Sequence, residues 1–407
     1  MALMQSNPDT QRTISPRIWL VAVLLTSLLL SGCYVLHTAS GQLGVMSKRQ
    51  PIARVVSNPN TAPTVRSQLE RVVAIRKFAV DHLGLPNNRS YLSYADVGRP
   101  YVVWNVFATP EFSVEPQRWC FPIAGCVAYR GYFKESKAAR FADQLRRKGA
   151  DVFVGGVAAY STLGHFEDPV LNTMMGWTDV QLASIIFHEL SHQLLYVGDD
   201  SAFNEAFASV VEDEGVRRWL AAEGRSQELD ALKQRQRKYL EFATLLIEAR
   251  EDLRSLYATK MPDERKREAK TEAFRQLTAQ YEALRKAWGG KGAFDEWSQD
   301  GFNNAHLMSV ATYQDCVPGL ERLLQSEGND LAKFYEAGRA LAGMTKKQRH
   351  AAVCTDAETI VRRQVVNTPM GVIFPVPGAP GEAAAAEATL EKQGLMRTAL
   401  PVFVEQR

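Results

Sequence analysis

The hydrophobic pattern divides the chain before any motif is considered. A polar start carrying Arg12 and Arg17 runs into an apolar stretch from Ile18 to Leu30. That stretch is too short for a spanning helix, which needs ~20 residues, and has the length of an export-signal core. Residues 34–60 show no period, and Pro51 and Pro59 break them. From 62 to 84 a helix is predicted, because Leu69, Val72, Val73, Ile75, Phe78, Ala79 and Leu83 recur at helical spacing. Residues 91–134 are rich in Tyr, Val, Trp and Phe and read as strands. A short charged helix at 135–149 and a strand over 151–163 follow. Helices are predicted at 178–196 and from 201 to about 222.

From 226 the chain turns densely charged. Leu229, Leu232, Tyr239, Leu246, Leu253 and Leu256 lie near a heptad rhythm, and Phe274, Leu277, Tyr281, Leu284 and Trp288 step by threes and fours. Pro262 separates the two runs, so 226–288 reads as two long antiparallel helices with a narrow apolar seam. After a Gly-containing break at 289–301, helices are predicted at 302–326, 329–343 and near 345–366. From Val372 the chain is Pro-, Gly- and Ala-rich, and a flexible tail is expected. The resulting divisions are 1–32 (signal), 33–60 (tether), 61–225 (N-terminal and catalytic region), 226–290 (helical hairpin), 291–371 (helical lobe) and 372–407 (tail). The fold class is α+β.

Composition adds little until the cysteines are placed. Apolar residues make up 46% and charged residues 23% of 407, which excludes a wholly disordered or polytopic membrane chain. The formal charge is +3, too small for a nucleic-acid footprint. The 5 cysteines are an odd number. The first ends the run Leu30-Ser31-Gly32-Cys33, which resembles the bacterial lipobox. The resemblance implies a lipidated Cys33 as mature N-terminus, with Tyr34 behind it favouring the outer membrane on its periplasmic side. The remaining Cys120, Cys126, Cys316 and Cys354 are an even set in an oxidising compartment, so two disulfides are expected. Three pairings exist; Cys120–Cys126 and Cys316–Cys354 are favoured. A cysteine zinc site is disfavoured because no C-x-x-C spacing occurs.

The candidate chemistry lies at Ile185-Ile186-Phe187-His188-Glu189-Leu190-Ser191-His192. The chain has only 7 histidines, so H-E-x-x-H in an uncharged helix is a strong signal. His188 and His192, four apart, project from one helix face as a pair of metal ligands. Glu189 sits one step round, where it can reach a water rather than the metal. A catalytic zinc needs a third protein ligand and an open position. Glu205, among Phe203-Asn204-Glu205-Ala206-Phe207 on the next helix, can supply it after a short turn capped by Asp200 or Ser201. Glu212 and Asp213 are candidates to orient a histidine.

H-E-x-x-H followed on the next helix by Asn204-Glu205-Ala206 is similar to the gluzincin metallopeptidases. With the lipobox, the 155–164 stretch and Asn303-Asn304-Ala305-His306-Leu307, the mature chain resembles a bacterial aminopeptidase lipoprotein family. The resemblance implies Zn2+ held by His188, His192 and Glu205, with Glu189 as general base. It also implies an edge strand for extended substrate, at Gly156, Ala158 and Tyr160, and a downstream oxyanion stabiliser, Tyr313 or alternatively His306. The His192-to-Glu205 interval is shorter than in thermolysin-like enzymes, so the connecting turn must be tight. Ser209 stands where those enzymes place an orienting Asp, which would move that role to a residue such as Glu212. The Gly-Ala-Met-Glu-Asn exopeptidase sequence, whose glutamate anchors a free amino terminus, is absent.

The sequence therefore leads to a membrane-anchored zinc peptidase acting on peptide or protein substrates, read as an aminopeptidase. The alternatives are an envelope endopeptidase and a non-catalytic zinc-stabilised scaffold whose hairpin binds an envelope partner.

Overall fold

The computed structural model describes residues 34, 37–121, 125–162, 166–198, 200–290, 292, 294, 295, 298, 299, 301–309 and 316–354. The expected signal, Cys33, Tyr313 and the 372–407 tail lie outside the described residues. The chain is α+β and mainly helical. It opens with α1 (37–46), β1 (Arg49–Pro51), α2 (Ile52–Ser57) and α3 (Pro63–Asp81). Next come β2 (Ser93–Ala95), β3 (Val103–Thr109), β4 (Trp119–Phe121), β5 (Gly125–Val127), β6 (Tyr129–Tyr132), α4 (Glu135–Arg146), β7 (Asp151–Val157) and β8 (Val170–Leu171). The rest is helical: α5 (Asp179–Leu194), α6 (Ser201–Ala222), α7 (Glu228–Ala258), α8 (Asp263–Ala287), α9 (Asn304–Ser309), α10 (Val317–Ser326), α11 (Leu331–Ala342) and α12 (Lys346–Val353).

Two three-stranded sheets and the two-stranded β4–β5 hairpin accompany the helices. One has the order β6-β3-β7 and is antiparallel throughout, with Val106 opposite Val154 and Arg130. The other joins β1 to β2 antiparallel and β2 to β8 parallel. At the centre lies α5, buried at every position from Val180 to His192. A helix surrounded on all sides needs apolar residues all round, which is why its sequence carries so little charge. Leu182, Ile186, Phe187 and Leu190 of α5 share one core with Leu69, Val72, Ile75 and Ala79 of α3 and with Phe203, Phe207 and Val211 of α6. Phe207 in turn stacks on Phe334 of α11, 5.2 Å between centroids.

The charged arm, α7 and α8, forms the expected antiparallel pair with its own core of Phe242, Leu246, Leu253, Leu277 and Tyr281. It is fastened to the sheet layer. Lys270 donates to the Glu111 carbonyl and to Asp151, both at 2.9 Å, and Arg267 pairs with the Glu111 carboxylate. Among the described residues, no helix is long and apolar enough to cross a membrane.

Both disulfides are the favoured pairs. Cys120 and Cys126 face each other across the β4–β5 hairpin. Cys316 joins Cys354, tying the start of α10 to the end of α12. These two helices come so close that a Cβ built on Gly319 would lie 1.9 Å from the Val353 carbonyl oxygen. Backbone cannot yield as a side-chain tip can. Gly319→Ala is therefore expected to cost about 1–3 kcal/mol by overpacking, read as a lower midpoint in thermal or denaturant unfolding; an unchanged midpoint would contradict the close approach.

Three expectations are corrected. Residues 33–60 were expected as a tether, yet the described part, 37–60 with Tyr34, is folded in: Val45 and Ile52 are 2% exposed and β1 pairs with β2. Few apolar residues do this packing, so no period betrays them. The strand expected over 151–163 ends at Val157, after which the Ala158 carbonyl accepts from Thr173 Oγ1. The helix expected over 302–326 starts two residues later, and its residues 310–315 lie outside the described residues. α9 starts at Asn304, and a new helix begins at Val317 behind Cys316, with Pro318 in its first turn, where the missing N–H costs nothing.

Candidate metal centre

The centre is built by α5 and α6. Thr178 caps α5 through a reciprocal bond with Gln181, and Asp179 in its first turn pairs with Arg71 and Arg225. Asp200 caps α6 by accepting from the Phe203 N–H. The turn between them must be tight, and Asn204 makes it so. Its Oδ1 accepts from the Val197 N–H and its Nδ2 donates to the Val197 carbonyl, both at 2.8 Å. Asn204 thus closes the turn, and the next residue, Glu205, comes to face the histidines.

His188 Nε2 lies 3.3 Å from Glu205 Oε2, His192 Nε2 lies 3.6 Å from Glu205 Oε1, and the two Nε2 atoms are 3.1 Å apart. All three donor atoms fall within 4.8 Å of one another. His188 Nδ1 lies 3.0 Å from Glu212 Oε2. A proton held there on Nδ1 leaves the Nε2 lone pair facing the centre. Two imidazoles and a carboxylate converging in a buried space match the donor set of three-ligand metal sites, so these residues fit a metal ion. Cys316, His350 and Cys354 also converge, but the disulfide leaves them no thiolate to offer.

The electrostatics follow from burial and these pairings. Burial would raise the Glu205 carboxyl, but His192 and His188 hold it below its ordinary range. Burial pulls the His188 imidazole down, yet Glu205 and Glu212 hold it well above the usual histidine value. His192, buried and opposed by His188, falls to about 4 despite Glu205. Glu189, 2% exposed, is pushed up to about 8 by burial.

The orienting role sought for Glu212 or Asp213 is divided. Glu212 holds His188, while Asp213 accepts from Gln236 of α7 at 3.3 Å. Burial and the neighbouring Glu212 carboxylate raise Asp213 well above the carboxylate range. The strand residues are placed differently from expectation. β7 is an edge strand, but a Cβ on Gly156 would meet the Tyr101 ring at 2.3 Å, so this glycine makes room for an aromatic ring. Ala158 and Tyr160 are buried, and the Tyr160 phenol donates to Gln42 of α1. His306 packs its ring on Phe153, 4.4 Å between centroids, with Nδ1 3.0 Å from Asn303 Oδ1. It sits on α9, which packs against β3, β7 and α7.

Sequence reasoning missed the residue that reaches the general-base candidate. Ser161, just beyond Tyr160, hydrogen-bonds Glu189 and also the phenol of Tyr91. Tyr91 is buried and holds a left-handed φ of 63°, with its N–H donating to the Asp168 carbonyl at 2.7 Å. Asp168 accepts from Thr162 N, Thr162 Oγ1 and Ser161 Oγ. A Ser-Thr pair shortly before an Asp was the available sign of such a loop.

Burial raises Asp168 from 3.8 to about 6, with the Thr162 and Ser161 bonds and Arg49 opposing. The folded state thus binds its proton more tightly than the unfolded chain does. That stability is fully present below pH 3.8 and is lost as pH rises through about 6. About two units correspond to ~3 kcal/mol. Unfolding midpoints compared with Asp168→Asn should show the wild type losing this increment between pH 4 and 7 while the variant does not. Parallel profiles would contradict the assignment.

The family model described as "Putative aminopeptidase" matches residues 33–353. No curated protein and no solved structure matches the chain.

Proposed function

The chain belongs to the aminopeptidase family whose model spans most of it, and on that premise we propose that it is a zinc-dependent aminopeptidase of the gluzincin type. The observation that carries the reading is the convergence of His188, His192 and Glu205, with Glu189 beside them and Ser161 upon it. Two imidazoles and one carboxylate suit zinc best among the common divalent metals. Zinc bound there supplies a Lewis acid for the scissile carbonyl and lowers the pKa of water.

The chain's own residues do the rest. Glu212 keeps His188 in the ligating tautomer. Glu189 accepts the proton of the attacking water and delivers it to the leaving amine. Ser161 fixes the Glu189 carboxyl through its hydrogen bond. The oxyanion role is proposed for Tyr313, with His306 as the alternative. We further propose that residues 1–32 are an export signal and that Cys33 is acylated, anchoring the protein to the outer membrane on its periplasmic side. The hairpin remains the proposed surface for an envelope partner.

The test is peptide hydrolysis with metal analysis on the purified chain. Peptides with a free amino terminus should lose residues singly, and acetylated ones should resist. Equal cleavage of both, at internal bonds, would establish the endopeptidase reading.

A further inference from the structure

The first described residue does not hang free. Tyr34 exchanges hydrogen bonds with the Gly131 backbone on β6, its phenol donating to the carbonyl at 2.9 Å and accepting from the N–H at 3.1 Å. The Arg130 guanidinium lies over the Tyr34 ring at 4.1 Å and over Phe141 of α4 at 4.8 Å. An acyl group on Cys33 would therefore emerge directly against β6 and α4, with no slack chain between bilayer and protein.

The surface at that point has two parts. α1 lies beside the exit. From 34 to 47 the sequence contains no Asp, Glu, Lys or Arg. Burial, with Lys137 and Lys134 alongside, lowers His37 below its ordinary range, so α1 is uncharged at neutral pH. Its outer face is Ala39, Ser40, Leu43 and Gly44, with Leu43 67% exposed. The second part is α4 with its flanks. Residues 134–148 hold six basic and two acidic residues, a local charge of +4 against +3 for the whole chain. Lys134, Lys137, Arg140, Arg147 and Lys148 are all exposed. The parts are joined: Lys137 Nζ donates to His37 Nδ1 at 3.1 Å.

We propose that α1 and α4 form a docking face for the anionic phospholipid headgroups of the membrane that holds the anchor. The proposal rests on the Cys33 reading above. Charge complementarity selects the partner: each Lys or Arg held near an anionic bilayer adds attraction that falls off within a Debye length. The uncharged α1 can approach that surface without desolvating a charge, and Leu43 can enter the interface. Docking on this face would hold the protein in one orientation on the membrane.

The test uses the full mature chain, reconstituted in vesicles of phosphatidylcholine alone or with phosphatidylglycerol added. Amide exchange is followed over 37–46 and 134–148. Exchange there should slow on the order of tenfold in the anionic vesicles only. The variant K137E/R140E/R147E should lose this protection while keeping metal content and peptidase activity, which shows that it folds. Equal exchange in both vesicle types, or undiminished protection in the variant, overturns the docking face. An N-terminal mass without acyl chains overturns the anchor reading, and the docking face with it.

Discussion

Glu189→Gln should reduce kcat by ~10²–10⁴-fold, about 3–5 kcal/mol in barrier height, while the protein keeps its metal. The argument is geometric. Glu189 points from α5 beside the ligands without being one of the three converging donors. An amide has nearly the same shape and can still hydrogen-bond Ser161, so packing and metal binding persist. It cannot take up a proton near neutral pH, so the water is no longer activated and the amine no longer protonated. Metal content, the unfolding midpoint and kcat measured together separate a lost base from a lost fold. Full retention of activity with bound metal would sink the peptidase mechanism; full retention of cellular function as well would leave the scaffold reading standing.

Glu205→Ala should remove the metal and drop activity to background. It leaves two imidazole nitrogens 3.1 Å apart with no carboxylate to complete the set. Losing a residue that only orients a ligand, as in Glu212→Gln, typically weakens affinity ~10–100-fold, and loss of a ligand itself should exceed that. Asn204 and its turn remain, so α6 should keep its place, and near-unchanged helical content is expected. Metal titration of the two variants is the measurement. Equal affinity in both would move Glu205 out of the ligand set.

The parts of the site that follow from local rules were legible in the sequence. His188, Glu189 and His192 share one helix, and a spacing of four fixes their face. The start of α6 was marked by a capping residue, Asp200 or Ser201, and Asp200 is the cap. The alternating heptad apolar positions gave the arm. Illegible were contacts between distant segments with no periodic signature. Ser161 reaches Glu189, and Tyr91 reaches Ser161, across wide sequence gaps, and neither stands in a recurring pattern. Residues 34–60 looked like a tether because their burial depends on single residues such as Val45 and Ile52. Gly156 suggested room for a substrate backbone, whereas the neighbour the structure places against it is the Tyr101 ring.

Asp200 connects the site to the far end of the described chain. Its carboxylate is fully buried and takes both the Arg349 guanidinium, at 2.6 Å, and His350 Nε2, at 2.7 Å. A buried carboxylate without its partners is strongly destabilising, and here the partners come 149 and 150 positions later. During synthesis the helix that presents Glu205 is thus complete long before the residues that neutralise its cap have been made. The order of translation and the order of assembly are therefore decoupled: a chain interrupted before Thr345 would carry every ligand, and Asn204 to close the turn, yet leave the buried Asp200 cap of α6 without Arg349 and His350.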